Sequence, residues 1–114
     1  MESKLEIDKN GDKYWKLPNG DYHRENGPAI ERINGSKFWF YNGKCHRENK
    51  PAIEHDDGSK EWFLNGKRHR EDGPSVEWGD GELYNGIFHL EDILYTEKKY
   101  YKEMRLRKLK KILG

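Results

Sequence analysis

The chain has 114 residues, of which 32% are hydrophobic, 38% charged and 13% aromatic. That length fits one domain; the low apolar content excludes a thick conventional core, and the many large rings exclude a disordered chain. The formal charge of +1 hides an uneven distribution: residues 1–92 hold 14 Lys/Arg against 19 Asp/Glu, net −5, and residues 93–114 hold 8 against 2, net +6.

From Asn10 to His89 the chain repeats itself. His23-Arg24-Glu25 recurs as His46-Arg47-Glu48 and His69-Arg70-Glu71, each time 23 residues on. Pro28, Pro51 and Pro74 keep that offset, as do Gly20, Gly43 and Gly66, and Gly35, Gly58 and Gly81. A fixed period of this length marks a stack of small supersecondary units. One unit runs from Pro51 through Asp57-Gly58, Trp62 and Asn65-Gly66 to Gly73. Short alternating segments bounded by turn residues predict a β-hairpin, with a tight two-residue turn at Asp57-Gly58 where glycine supplies positive φ. The same turn is expected at Asn10-Gly11, Asn34-Gly35 and Asp80-Gly81. Asn65-Gly66 reads as the end of the second strand, followed by a longer connection through His-Arg-Glu. Proline at the start of each first strand has no N–H to leave unpaired.

The period sets the expected packing. Trp15, Trp39 and Trp62 should form a buried ladder, with Leu17, Tyr41 and Leu64 beside them by two-residue alternation. Ile30, Ile53 and Val76 form a second ladder. A single hairpin is marginal, but stacked hairpins share a continuous core. Both ends depart from the pattern, as terminal caps do. Trp15 to Trp39 spans 24 residues, and the fourth unit reads as shortened and without its tryptophan, offering Leu83 and Tyr84. His89 and Glu91 echo the His-Arg-Glu motif.

From Thr96 onward the composition predicts a helix over roughly 97–112. Thr96 suits the N-cap, Glu97 the first turn, and Lys108, Lys110 and Lys111 the last. Tyr100, Tyr101 and Met104 cluster on one side; Leu106, Leu109, Ile112 and Leu113 lie further round. The segment is read as a capping helix over the open sheet edge, with docking to a partner, or a basic contact to nucleic acid or a membrane, as the alternatives. The predicted fold is thus mainly β: stacked antiparallel hairpins in an open sheet over 1–92, with a basic amphipathic helix in 93–114 belonging to the same domain.

Chemistry is hard to place on this pattern. The histidines His23, His46 and His69 recur one unit apart, roughly 10 Å, whereas zinc ligands must all lie about 2 Å from the ion. They read as turn locks to the next connection, with Arg47 paired to Glu48 or to a neighbouring unit's acid. No metal site and no cofactor are expected. Cys45 neighbours His46, but adjacent strand residues point to opposite faces, and the glycines come singly rather than as a phosphate-binding loop. The chain is therefore read as no enzyme. The single cysteine fits a reducing, cytoplasmic setting, residues 1–10 lack the apolar stretch of a signal peptide, and no apolar run is long enough to span a bilayer.

The unit resembles the MORN repeat. Trp62, Asn65, Gly66, Lys67 and His69 match its register, as do Trp39, Asn42, Gly43, Lys44 and His46, and Asp57-Gly58 matches the turn between units. Where that family has glycine after the histidine, this chain has Arg24, Arg47 and Arg70. The variant with His-Arg-Glu-Asp-Gly-Pro is similar to small repeat proteins of tailed phages and large DNA viruses, including the Tyr95-Thr96-Glu97 lead into a helix. The resemblance covers residues ~10 to ~104. It implies a protein-binding or scaffold role, such as blocking a host protein or a CRISPR effector from within the host cytoplasm. The other reading is a nucleic-acid contact through Lys98, Lys99, Lys102, Arg105, Arg107, Lys108, Lys110 and Lys111, whose binding would be salt-dependent.

Overall fold

A computed structural model describes residues 2–79 and 86–113. Its strands are short: β1 (Lys4–Ile7), β2 (Lys13–Lys16), β3 (Ile30–Glu31), β4 (Lys37–Phe38), β5 (Phe40–Tyr41), β6 (Lys44–Cys45), β7 (Ile53–Glu54), β8 (Lys60–Glu61), β9 (Phe63–Leu64), β10 (Lys67–Arg68), β11 (Val76–Glu77), β12 (Gly86–Leu90) and β13 (Ile93–Tyr95). One helix follows, α1 (Glu97–Leu113). Nine strands form one antiparallel sheet in the order β1-β2-β3-β4-β7-β8-β11-β12-β13. Strand pairing thus continues through Tyr95, three residues beyond the array boundary read from composition.

Two side-chain rows cross the sheet and explain its alternation. One runs Tyr14, Ile30, Phe38, Ile53, Glu61, Val76, Ile87 in successive cross-strand pairs. Its neighbour runs Lys13, Glu31, Lys37, Glu54, Lys60, Glu77, so each directly opposed pair joins opposite charges. Such pairs contribute roughly 0.2–1 kcal/mol each, a local source of stability for a sheet one layer thick. The molecule measures 50 × 35 × 19 Å.

The hairpin turns differ from the expected type. At Gly11, Gly35 and Gly58 only the glycine has positive φ. Each turn closes with two bonds, as in Gly58 N–H to His55 C=O at 3.0 Å and His55 N–H to Ser59 C=O at 2.8 Å. This is a three-residue loop with a glycine bulge, not a two-residue turn. The two-residue turn lies where a connection was expected: Asn42 and Gly43 have φ 49 and 80, Asn65 and Gly66 have φ 49 and 82. Each closes a second, smaller hairpin, β5–β6 and β9–β10. In the first unit Pro18-Asn19-Gly20 makes a three-residue loop here, bonded Leu17 to Asp21. That accounts for the extra residue between Trp15 and Trp39. Asp80-Gly81, Leu83 and Tyr84 lie outside the described residues.

The tryptophans depart from a uniform buried ladder. Trp62 is buried, whereas Trp15 and Trp39 are half-buried, and Tyr41 is 45% exposed. The backbone N–H groups of Trp15, Trp39 and Trp62 donate to Ala29, Ala52 and Ser75. These three small residues are fully buried, because a large ring on each side leaves room for little more than a methyl group. The fourth unit does have an aromatic at this position. Arg70 N–H bonds His89 C=O as Arg47 N–H bonds Phe63 C=O, which places Phe88 where the preceding units have Trp62 and Trp39. Phe88 follows Trp62 by 26 residues, so the last unit is lengthened, not shortened.

Candidate functional site

Two interlocking contacts join each unit to the next. The Nδ1 atoms of His23, His46 and His69 accept from the backbone N–H of Asn42, Asn65 and Glu91 at 2.9, 2.9 and 3.0 Å. An accepting Nδ1 leaves the proton on Nε2. That atom faces Glu25 at 3.0 Å, Glu48 at 3.9 Å and Glu71 at 3.6 Å. The bond holds the positive-φ turn of the following unit in place, the Asn-Gly pair in two cases and Glu91-Asp92 in the third.

The arginine that follows each histidine makes the second contact. Arg24, Arg47 and Arg70 lie 3.8, 3.8 and 3.7 Å over the rings of Trp15, Trp39 and Trp62. Each also donates to the carbonyl of the next unit's proline, Pro28, Pro51 or Pro74, at 3.0–3.1 Å. Each pairs with that unit's acid, Glu31, Glu54 or Glu77. For Arg70, burial opposes the charge, but hydrogen bonds to Glu77 and Asp72 outweigh it and hold the guanidinium above its ordinary pKa. Glycine at this sequence position could make neither contact. The Trp–Arg pairing was present in the sequence as a co-occurrence at fixed spacing, yet the spacing alone does not show that the two side chains meet.

Phe88 has no such arginine, and α1 supplies the substitute. Tyr100 is fully buried, 4.8 Å from the Phe88 ring. Its hydroxyl donates to the Arg70 carbonyl and accepts from Gly73 N–H at 3.2 Å. Leu90, Tyr95 and Met104 complete this small cluster. Thr96 Oγ1 accepts from Lys99 N–H at 3.3 Å, the expected N-cap.

Beyond Met104 the helix touches the sheet through Arg107, which reaches Glu91 in the β12–β13 turn, while its aliphatic side chains turn outward. Leu106, Leu109, Ile112 and Leu113 are 46, 52, 79 and 83% exposed. The capping reading therefore describes one face of the helix and leaves the aliphatic face unaccounted for. Among the basic residues, Arg107 pairs with Glu103 at 3.1 Å and Glu91 at 3.4 Å. Lys98, Lys99, Lys102, Arg105, Lys108, Lys110 and Lys111 are exposed on the helix surface.

On the opposite side of the sheet, Cys45 is half-buried, and burial, with Glu61 adding, pushes its thiol up to about 12. It is held as a thiol, the reverse of what a nucleophile needs. Glu61 accepts from His55 at 2.7 Å and Arg68 at 3.0 Å. Burial opposes its charge, yet those two bonds prevail and keep the carboxyl below its ordinary range. His89 contacts Ser75 Oγ at 2.7 Å, and burial with Arg68 nearby lowers its pKa. Among the described residues no three His, Cys, Asp or Glu converge as metal ligands, and no helix is long and apolar enough to cross a membrane. Compared with known proteins, the chain matches no family model, no curated relative and no solved structure, so it stands on its own geometry as a mainly-β protein of repeated antiparallel hairpins with a C-terminal helix.

Proposed function

We propose that this chain is a MORN-like, non-enzymatic protein-binding module whose docking element is the outward face of α1. The carrying observation is that Leu106, Leu109, Ile112 and Leu113 remain exposed on a helix already anchored by Tyr100. A helix needed only as a cap could end after Met104, and four exposed aliphatic side chains in eight residues form an apolar patch of the kind that marks interaction surfaces. The array supplies a rigid mount, because each unit is fixed to the next at two points. The phage-like repeat suggests a host target in the cytoplasm, such as a CRISPR effector.

A second reading, nucleic-acid binding, is favoured by the exposed cations of the helix. The leucines weigh against it, since phosphate contacts do not use them. The test is affinity capture from host lysate with and without nuclease, comparing the native chain with Leu106→Asp/Leu109→Asp. A stoichiometric protein retained after nuclease by the native chain and lost by the variant supports the first reading. Equal recovery by both chains overturns it, and salt-sensitive binding of plain oligonucleotides in place of a protein supports the second.

A further inference from the structure

The outward face of α1 has a complement elsewhere on the same molecule. Leu106, Leu109 and Leu113 follow one another at steps of three and four residues, which places them in one stripe. At 3.6 residues per turn that stripe lies on the side of the helix opposite Tyr100 and Met104. Lys99, Lys102 and Lys110 flank it and are exposed. While Tyr100 stays seated against Arg70 and Gly73, this face cannot turn onto its own sheet.

On the array a groove of about 210 Å³ opens between successive units, with Trp62 and Leu64 in its lining and Glu71 and Asp72 at its rim. The side chains of Glu71 and Asp72 are 50 and 82% exposed. The groove's own cations are engaged: Arg47 with Glu54, and Arg70 with Asp72 and Glu77. One unit away, Tyr41 is exposed and Glu48 is 79% exposed. Two strands of a sheet span roughly 10 Å, and seven residues of helix about 10.5 Å. Leu106 and Leu113 are therefore spaced as Tyr41 and Leu64 are.

We propose that the occupant of this surface is a second copy of the chain. In the dimer, α1 of each copy lies across Tyr41, Leu64 and the Glu48–Glu71 rim of the other. Here the inference rests on α1 being the docking element. Charge selects this arrangement: the array side of the chain carries −5 and the helix segment +6, whereas pairing two helices face to face would oppose two positive segments. Area selects reciprocity. One helix laid on a sheet covers less than the ~1,200 Å² at which stable interfaces begin, and two symmetric contacts double that area toward the range. A two-fold axis also closes the assembly at two copies.

Sedimentation of the full chain at about 50 mM and about 500 mM salt tests this. The native chain should be a dimer at low salt, with dissociation constant rising at least ~10-fold at high salt. Lys99→Glu/Lys102→Glu alone and Glu48→Lys/Glu71→Lys alone should both be monomers. Mixed in equal amounts they should dimerise, because each reversed helix then meets a reversed rim and each native helix a native rim. All four side chains are exposed, and thermal unfolding should confirm that every variant folds. A native chain that stays monomeric at low salt, a dimer indifferent to the reversals, or a mixture that fails to associate would overturn the proposal. A monomeric native chain whose Leu106→Asp/Leu109→Asp variant still loses a foreign protein would end the dimer and leave the docking helix standing.

Discussion

At the residue scale, the arginine after each histidine carries more of the architecture than its charge suggests. Arg47 stacks on Trp39, donates to Pro51 C=O at 3.1 Å and pairs with Glu54 at 3.3 Å. Lysine keeps the charge but has neither the flat face nor the fork. Arg47→Lys should cost about 1–2 kcal/mol in urea unfolding; a loss below ~0.5 kcal/mol would mean the stack is incidental. Acid sensitivity follows from Glu61 and His89. Both have folded pKa values held below their ordinary ones, so both favour the fold fully above the unfolded value and lose that contribution as pH falls toward the folded value. The urea midpoint should therefore decline as pH drops below 6.5 for His89 and again below 4.5 for Glu61. Glu61→Gln should shrink the second decline, to which Asp57, held low by its bonds from Ser59, also contributes, and leave the first. The histidine and arginine positions were legible as a repeat from their spacing. Their partners were not, because Asn42 lies 19 residues from His23 and only the folded register shows which backbone N–H arrives at the ring.

Among the elements, turns and helix show where sequence patterns stop short. Asn-Gly and Asp-Gly look alike as turn signals, yet Asp57-Gly58 forms a bulged three-residue loop and Asn65-Gly66 a two-residue turn. The flanking strand pairing decides between them. Glu91-Asp92 takes the two-residue conformation with no asparagine or glycine, φ 51 and 69, and no composition rule would have found it. Its location is fixed instead by His69 and by Asp92 Oδ1, which accepts from Arg68 N–H at 2.6 Å. Glu91→Asn eases the left-handed conformation and should stabilise the protein by about 1 kcal/mol. A neutral or destabilising result would show that the Glu91–Arg107 pair matters more than backbone strain. The helix span was legible from Thr96, Glu97 and the lysines of the last turn, but its division into an anchored face and an outward apolar face was not. Tyr100→Phe keeps the ring on Phe88 while leaving Gly73 N–H and Arg70 C=O without the hydroxyl. A cost of about 1–3 kcal/mol is expected by thermal or urea unfolding; an unchanged midpoint would mean water replaces it.

For the whole molecule, the sheet has one layer and its contacts run from each unit to the next. Stability in such a stack is approximately a sum of unit and interface contributions. The 23-residue period, the mainly-β class and the terminal helix could be read directly, because each is a pattern of local residue types. The lengthened last unit was misread, since Phe88 replaces tryptophan at an altered spacing and only the backbone bonds of Ser75 and Arg70 reveal the equivalence.

The two locks between units also make the chain editable. Every middle unit presents the same histidine, arginine and tryptophan forward and the same turn, proline and acid backward. Removing residues 43–65 joins Asn42 to Gly66, restores an Asn-Gly turn at the splice, and brings Arg70, Pro74 and Glu77 to bear on Trp39 in place of Arg47, Pro51 and Glu54. The shortened chain should fold cooperatively, with its tryptophan emission still blue-shifted and a melting temperature lower than the parent's. An unfolded product would mean that the units are not interchangeable. If it folds, duplication or loss of a single 69-nucleotide cassette changes the length of the sheet without disturbing either cap, and variation in repeat number becomes a route by which this architecture can be retuned in one genetic step.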